Sequence, residues 1–524
     1  MRSILFLSLF LLPFSSCLAQ PVPRGHVFFT EDFKAPNALS RWAGHAEIEV
    51  SPTSTHVLKI ERKDDKAPSA MISIKLPVEQ MRGYQVFGSA RIRGQNISKR
   101  PNSWNGVKFM LAVDAPSGKQ WPQSPGIPEG SFDFQTCKFS YRVPKDATAI
   151  TLVLGLEQVT GTVWFDDIRI TAGKPPLVEV PPAPADKPIY TGHALPRLRG
   201  AMISPSIDEA GLRTLGQDWN ANLIRWQLIR TGTKSGQAPA ADSFDPWLQG
   251  ELAKLDKALP LCEKYGIFVV LDLHSPPGGK GTSGGYQGSD SGLFTSREAQ
   301  NKFVEVWRYM AKRYKGSRMI WGYDLANEPV EDALAEDCDD WRDLATRAAK
   351  GIREIDPDRT IIIEPAPWGG PEGLANFQPI DVPNIVYSVH MYMPHQFTHQ
   401  GVYGSGAAVV YPGLIAGRQW DKAALEEALR PAIEFQRKYR VQIYLGEFSA
   451  IRWAPDSSAE HYLRDCIDIF EKYGWDWSYH AFREWSGWSV EHTGNRADDK
   501  PAASPTDRQK LLCEWFAKNR KPER

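Results

Sequence analysis

The chain has 524 residues, which is long for a single domain, so two or three domains are expected. Its composition, 42% apolar and 24% charged, is that of a globular protein with enough apolar residues for a large core. The 62 Lys and Arg residues balance the 62 Asp and Glu residues, and this neutrality argues against a protein that binds nucleic acid or anionic membranes.

The N-terminus has the pattern of an export signal. A positive charge at Arg2 precedes an apolar run over residues 4–12, and residues 17–19 fit a small-residue cleavage site. We therefore expect residues 1–19 to be a signal peptide and the mature protein to be secreted or periplasmic. Lipidation at Cys17, with anchoring at the cell surface, is the alternative. The run is too short to span a membrane, no later segment is predicted to span one, and a monomer is expected.

Residues 24–171 alternate apolar and polar positions in short runs that are separated by Gly, Pro, Asn and Asp. The clearest runs are residues 84–92, 107–113 and 163–170. No long segment has the helical period. This pattern predicts an all-β sandwich.

The predicted sandwich resembles carbohydrate-binding modules, most closely in the run 161–170. Trp42, Trp104 and Trp121 fall in loop-like settings, where an indole can serve as a platform for a sugar ring, whereas Trp164 is expected in the core. A domain with a purely structural role is the alternative.

A proline-rich segment over residues 172–196 follows the sandwich, with six prolines between positions 175 and 188. Proline cannot donate to a ladder or continue a helix, so the segment is predicted to be a stiff, extended linker between domains.

From residue 197 onwards, predicted strands alternate with predicted helices. The strands are residues 199–203, 222–226, 267–273, 319–325, 360–364, 385–391, 442–445 and 477–482. The helices between them include residues 247–265, 296–314, 341–355, 422–439 and 459–473. Eight such repeats predict a (β/α)₈ barrel over 197–524. A doubly wound sheet is the alternative, but the glycine fingerprint of a dinucleotide site is missing after the first strand.

Polar and ionisable residues gather where the predicted barrel strands end. They are Arg225, His274, Asn327, Glu328, Glu364, His390, Tyr392, Glu447 and, just past the eighth strand, Trp485. Because the carboxyl ends of barrel strands form one rim, these side chains are predicted to share an active site.

Glu328 and Glu447 follow the fourth and seventh strands and so face each other across the predicted barrel. Two opposed carboxylates suit the cleavage of a glycosidic bond, because one protonates the leaving oxygen while the other attacks the anomeric carbon or activates water. A donor such as Arg225 would keep the attacking carboxylate ionised.

The ordered motifs of the barrel resemble those of glycoside hydrolase family 5, the cellulase-type retaining β-glycanases. The motifs are Leu223-Ile-Arg225, Leu271-Asp-Leu-His274, Asn327-Glu-Pro329, His390-Met-Tyr392, Gly446-Glu-Phe448 and Trp485. The resemblance covers residues 196–520, and the ordered set is specific, although Asn-Glu-Pro alone is weak.

The resemblance implies that Glu328 is the acid/base and Glu447 the nucleophile. It implies that Asn327 binds the sugar 2-hydroxyl and that Arg225 and Tyr392 position Glu447. His274 and His390 would line the pocket of the reacting sugar, and Trp485 would be its platform. Strand 8 departs from the common pattern because Glu484 and Trp488 lie close to Trp485, so either tryptophan fits the platform.

Three other carboxylates are expected to have structural roles. Glu364 is predicted to form ion pairs, because the fourth and seventh strands already supply the catalytic pair. Asp272 and Asp324 are predicted to make hydrogen bonds inside the barrel.

The predicted function is that of a retaining endo-β-glycanase acting on a plant-type polysaccharide, with an endo-β-1,4-glucanase first. A β-mannanase, an exo-β-glucanase and a non-catalytic carbohydrate-binding protein are the alternatives. The stretch Gly281-Thr-Ser-Gly-Gly285 matches a serine-esterase pattern, but no helix pattern follows it, so a loop is expected. No Cys/His cluster has zinc spacing, and neither a metal nor a cofactor is expected.

Overall fold

The computed structural model describes residues 22–50, 56–64, 66–116, 118–230, 244–278, 291–331, 334–402 and 408–522. The predicted signal peptide with Cys17 and the stretch 281–285 lie outside these residues. The chain forms two compact units, residues 1–178 and 179–524, and the division falls inside the predicted linker 172–196. Within the described residues, the helices are all too short or too polar to cross a membrane.

The N-terminal unit is built from two antiparallel sheets, as the alternating pattern predicts. Its elements are β1 (Val27–Glu31), β2 (Ala43–Gly44), β3 (Glu47–Val50), β4 (His56–Arg62), β5 (Ser69–Lys75), helix α1 (Val78–Met81), β6 (Gln85–Ile97), β7 (Gly106–Ala115), β8 (Gly118–Gln120), β9 (Gly130–Arg142), β10 (Ala149–Glu157) and β11 (Gly161–Ala172). One sheet has the order β3-β4-β11-β6-β9, with β1 also on β11, and the other has the order β2-β5-β10-β7-β8.

Apolar residues that alternate along these strands form one core between the two sheets, with Leu58, Phe109 and Leu152 among the fully buried ones. Trp42 belongs to this core, with 7% of its surface exposed and its ring 6.0 Å from that of Phe29. Trp42 does lie between two elements, but the prediction that it could be a sugar platform is wrong, because its indole packs in the core.

The second unit contains a closed parallel barrel of eight strands, so the alternative of an open doubly wound sheet is wrong. The barrel strands, in spatial order, are β12 (Arg199–Ile203), β13 (Leu223–Gln227), β14 (Phe268–Asp272), β15 (Ile320–Asp324), β16 (Thr360–Ile363), β17 (Ile385–Met391), β20 (Gln442–Phe448) and β21 (Asp476–Phe482). A hairpin of β18 (Gly413–Ile415) and β19 (Arg418–Trp420) interrupts the repeat. All eight predicted strands are present, within a few residues of their expected bounds.

The helices of this unit are α2 (Glu209–Arg213), α3 (Phe244–Tyr265), α4 (Ser291–Thr295), α5 (Arg297–Tyr314), α6 (Trp341–Arg353), α7 (His395–Thr398), α8 (Lys422–Ala428), α9 (Arg430–Tyr439), α10 (Ser458–Tyr473) and α11 (Asp507–Phe516). Local capping sets several starts: the side chain of Ser296 accepts the N–H of Ala299 at 3.1 Å at the beginning of α5. The single helix predicted over 422–439 is two helices, because Pro431 lacks an N–H and favours a helix start.

The part of the proline-rich segment that belongs to the second unit runs along the amino-terminal end of the barrel. The indole of Trp321 donates to the carbonyl of Thr191 at 3.0 Å, and His193 lies 3.1 Å from Asp476. These contacts lie at the first residues of the strands, opposite the end where the candidate site residues gather.

Candidate active site

The carboxyl-terminal rim of the barrel brings together the polar residues singled out in the sequence. Eight of them are buried: Arg225, His274, Asn327, Glu328, Glu364, His390, Tyr392 and Glu447. Such a cluster does not form merely to fill the core, because each buried ionisable side chain loses its hydration and must find a hydrogen-bonding or charged partner.

Arg225, on β13, contacts several of the other site residues. Its guanidinium donates to Glu447 Oε1 at 2.6 Å, to Glu364 Oε1 at 2.8 Å and to Asn327 Oδ1 at 3.1 Å. Its Nε also donates to Asp324 Oδ2 at 3.0 Å. Although burial lowers the pKa of Arg225, the surrounding carboxylates raise it well above its ordinary value, so the guanidinium stays charged.

Asp272 and Asp324 end their strands inside the barrel. Asp272 lies 2.9 Å from Nδ1 of His274 and 3.2 Å from the Arg225 guanidinium. Burial raises the pKa of Asp324 well above its ordinary value, an effect that Arg225 opposes and that Glu364 reinforces. Both aspartates therefore belong to the hydrogen-bonded support beneath the rim.

Glu447, on β20, is held as an ionised carboxylate. Its Oε2 accepts the hydroxyl of Tyr392 at 2.8 Å and lies 3.4 Å from Nδ1 of His480. Burial raises the pKa of Glu447, but the positive charges of His390, His480 and Arg225 outweigh burial and hold the pKa well below its usual range. A buried carboxylate that stays charged at neutral pH is suited to act as a nucleophile.

Glu328 follows β15 and has a different setting. Its Oε1 lies 2.7 Å from Nδ1 of His390, and its backbone N–H donates to Oε2 of Glu364 at 2.7 Å. The backbone of Glu328 is left-handed, with φ of 46°, a conformation that costs a non-glycine residue on the order of 1–3 kcal/mol. The Glu364 contact holds this strained residue in place.

The carboxylates of Glu328 and Glu447 approach closely. Oxygen atoms of these two groups and a ring nitrogen of His390 lie within 4.8 Å of one another. In the described residues this is the one set of carboxylates and imidazoles with the spacing of a metal site. Burial lowers the pKa of His390, but Glu364 and Glu447 raise it well above its ordinary value, and a protonated imidazole donates hydrogen bonds rather than binding a metal.

His480 is a site residue that the sequence reasoning missed. It lies on β21, contacts the Tyr392 hydroxyl and Glu447, and pairs with Glu484 at 3.0 Å. Burial lowers its pKa, but Glu447 and Glu484 raise it above the ordinary value. The available signal was a histidine two residues before the end of the predicted eighth strand, in the run Trp477-Ser-Tyr-His-Ala-Phe482.

The two candidate tryptophans past β21 have different environments. Trp485 is 41% exposed, and its ring lies 6.0 Å from that of Trp453. Trp488 is 7% exposed, with its ring 6.1 Å from Tyr392 and 5.8 Å from His480. Trp488 thus packs behind the residues that hold Glu447, whereas Trp485 leaves ring surface open for stacking. On β21 itself, the residue that lies beside Glu447 is His480.

Comparison with known proteins gives a consistent result. The family model "Cellulase (glycosyl hydrolase family 5)" matches residues 188–488. Endoglucanase C of Acetivibrio thermocellus is 33% identical over 269 residues, which are 45% of this chain and 75% of that protein. Cellodextrinase A of Ruminococcus flavefaciens is 26% identical over 240 residues, covering 44% of this chain and 68% of that protein.

Among solved structures, endoglucanase Cel5A from Thermotoga maritima is similar to the chain at 26% sequence identity. The match covers 60% of this chain and 96% of that structure, with a TM-score of 0.47.

Proposed function

Because the chain belongs to glycosyl hydrolase family 5, we propose that it is an endo-β-1,4-glucanase that cleaves with retention of anomeric configuration. The observation that carries the proposal is the approach of the Glu328 and Glu447 oxygens to within 4.8 Å. Carboxyl groups about 5–5.5 Å apart act by double displacement, whereas inverting enzymes separate them by roughly 6.5–9.5 Å to admit a water.

The reaction proceeds in two steps. In the first, Glu447 attacks the anomeric carbon, the bond to the leaving oxygen breaks, and that oxygen takes the proton of Glu328. In the second, Glu328, now a carboxylate, removes a proton from water, whose oxygen attacks the anomeric carbon and releases Glu447. The first step leaves Glu328 as a carboxylate and Glu447 as a glycosyl ester. The second returns a proton to Glu328 and frees the carboxylate of Glu447, so the enzyme ends as it began.

Arg225, Tyr392 and His480 have positioning roles toward Glu447. Their donors lie within 3.4 Å of its two oxygens, so they favour the ionised form and fix the direction of attack. We assign to Asn327, whose Oδ1 accepts from Arg225 at 3.1 Å, the binding of the sugar 2-hydroxyl. His274 and His390 line the pocket, and the exposed ring of Trp485 is the stacking platform.

The preference for β-1,4-glucan rests on the relatives, among which Endoglucanase C and an endoglucanase of Paenibacillus polymyxa are 33% and 32% identical to the chain. A hydrolysis screen over soluble β-glucan, carboxymethyl cellulose, glucomannan and xyloglucan tests it. We expect the highest kcat/KM on a β-1,4-glucan, with a rapid fall in viscosity from internal cleavage. Preferred hydrolysis of mannan, or release of single sugars without a viscosity fall, would contradict the endoglucanase assignment.

We further propose that the chain is exported and that its N-terminal unit binds carbohydrate. The apolar run after Arg2 supports export. The exposed Trp104 and Trp121 on the sandwich support carbohydrate binding, since exposed indoles stack on sugar rings. Fractionation of the native host tests the first proposal, and retention of the protein in the cytoplasm would contradict it.

A further inference from the structure

The five-stranded sheet of the N-terminal unit has one face in the core and one face turned away from it. Phe109 and Leu111 on β7, and Leu152 and Leu154 on β10, belong to the core. Because side chains alternate along a strand, the residues between them face the other way. The strand pairing places these outward residues in rows, Gln123–Met110–Val153–Ser73 and Lys108–Gly155–Met71. We call this surface the outer face.

The outer face carries polar groups but little net charge. Lys108 Nζ lies 2.8 Å from Glu157 and 3.0 Å from Gln123, and only 4% of its side chain is exposed. Asn105 donates to Glu157 at 2.9 Å. Burial raises the pKa of Glu157, but Lys108 and Asn105 outweigh burial and lower it, so the pair is ionised and neutral as a whole. Because these charged groups are paired with each other, the face favours an uncharged ligand.

Two tryptophans flank the outer face. Trp104 is 61% exposed, and its carbonyl accepts from Lys108. Trp121 is 59% exposed and follows β8, where the N–H of Leu111 donates to the carbonyl of Pro122 and keeps the segment alongside β7. Alternation puts Trp121 on the same face as Gln123. An indole buries about 150–250 Å² in an interface, so each ring leaves on the order of 100 Å² of largely apolar surface uncovered.

We infer that the outer face, between Trp104 and Trp121, is the binding site of the N-terminal unit for an uncharged β-glucan chain. The inference rests on the proposed carbohydrate binding of this unit and assigns its site. Sugar rings have apolar faces that stack on indoles and hydroxyl edges that hydrogen-bond to groups such as Gln123 and Ser73. The internal pairing of Lys108 with Glu157 disfavours an anionic polymer, which needs unpaired cations.

The test uses the full chain with Glu447→Gln, so that the polysaccharide is not consumed while binding is measured. Depletion on insoluble cellulose and mobility shift in gels containing soluble β-glucan are compared for this parent and for added Trp104→Ala, Trp121→Ala and the two together. Tyr309→Ala, which removes a 37% exposed ring from α5 of the barrel unit, is the matched control. Each tryptophan variant is expected to weaken binding about tenfold, since tenfold corresponds to 1.4 kcal/mol.

A second pair of variants tests the face without removing a ring. Ser73→Arg places a long charged side chain on β5, at the end of the row that runs from Gln123 across the outer face. Val27→Arg places one on β1 of the other sheet. We expect the first to weaken glucan binding and the second to leave it as in the parent. Undiminished binding in the double tryptophan variant and in Ser73→Arg would overturn the inference, as would binding of DNA or of an apolar peptide in place of glucan.

The readout is independent of catalysis. The parent for the binding assay does not hydrolyse, so failure of the proposed endoglucanase activity is detected in the wild-type chain, and failure of the outer face is detected only in the binding series.

Discussion

Glu364 accepts the backbone N–H of Glu328 at 2.7 Å through one carboxylate oxygen. Its other oxygen accepts from Arg225 at 2.8 Å and lies 3.1 Å from Nε2 of His390. The residue is fully buried. One carboxylate thus connects the strained backbone of Glu328, the cation that holds Glu447, and the imidazole that lies against Glu328.

We therefore expect Glu364→Gln to lower kcat by on the order of 10²-fold with a smaller change in KM, because it displaces Glu328 rather than removing a substrate contact. It also removes a charge that raises the pKa of His390. His390 then loses its proton at a lower pH, so the alkaline limb of the profile of kcat against pH moves to lower pH. A lower melting temperature with an unchanged kcat and pH profile would mean that Glu364 has only a structural role.

The contact between His480 and Glu447 leads to a prediction about the acidic limb of the profile of kcat/KM against pH. In the proposed mechanism Glu447 acts as a carboxylate, and its depressed pKa depends in part on the charge of His480. His480→Gln removes that charge, the pKa of Glu447 rises, and the acidic limb of kcat/KM moves to higher pH. His461→Gln, at a half-exposed position on α10, is the control and is expected to leave the profile in place. An acidic limb that does not move in His480→Gln would contradict the electrostatic role.

Trp368 lies beside Glu328, the proposed acid/base residue. Its N–H donates to the carbonyl of Pro329 at 3.1 Å, and its side chain is 40% exposed. If Glu328 protonates the leaving oxygen, as proposed, the departing sugar lies next to it, and we expect Trp368 to contact that sugar. Trp368→Ala is predicted to raise KM for glucan oligosaccharides but not for a glycosyl fluoride, whose leaving group is not a sugar. An equal loss on both substrates would refute this placement.

The barrel could be predicted because its strands are short apolar runs that alternate with helical segments. Its rim could be predicted because parallel strands in a barrel end on the same side. His390 and Glu447 are the next-to-last residues of β17 and β20, and Glu328 follows β15. Arg225 lies in the middle of β13, and its side chain reaches the same site. The expected ion pairs of Glu364 are also present.

Other features depend on contacts between distant residues and carry little local signal. His480 lies within an aromatic strand, and only the barrel's closure sets it 3.4 Å from Glu447. The left-handed backbone of Glu328 is enforced by Glu364, 36 residues later in the chain. Trp42 and Trp104 both fall between predicted strands, yet tertiary packing buries one and leaves the other 61% exposed.

The two carboxylates at the centre of the site should each be indispensable. Glutamine has nearly the shape of glutamate. Glu328→Gln removes the acid proton, and Glu447→Gln removes the nucleophile. General acid–base catalysis alone contributes about 10²–10⁴-fold, so each variant is expected to lose at least that much polysaccharide hydrolysis while remaining folded by circular dichroism. Glu336→Gln, at an exposed position, is the matched control. Full activity in either site variant would refute the mechanism.

The most direct test of the assigned roles is the configuration of the glycosyl azide formed when azide rescues Glu328→Ala and Glu447→Ala on an activated aryl β-glucoside. With Glu328→Ala, azide attacks the covalent intermediate on Glu447, so the β-azide is predicted. With Glu447→Ala, azide enters the vacated nucleophile position and attacks the substrate directly, so the α-azide is predicted. The reverse pair of products, read by proton NMR, would contradict the assignment of Glu328 as acid/base and Glu447 as nucleophile.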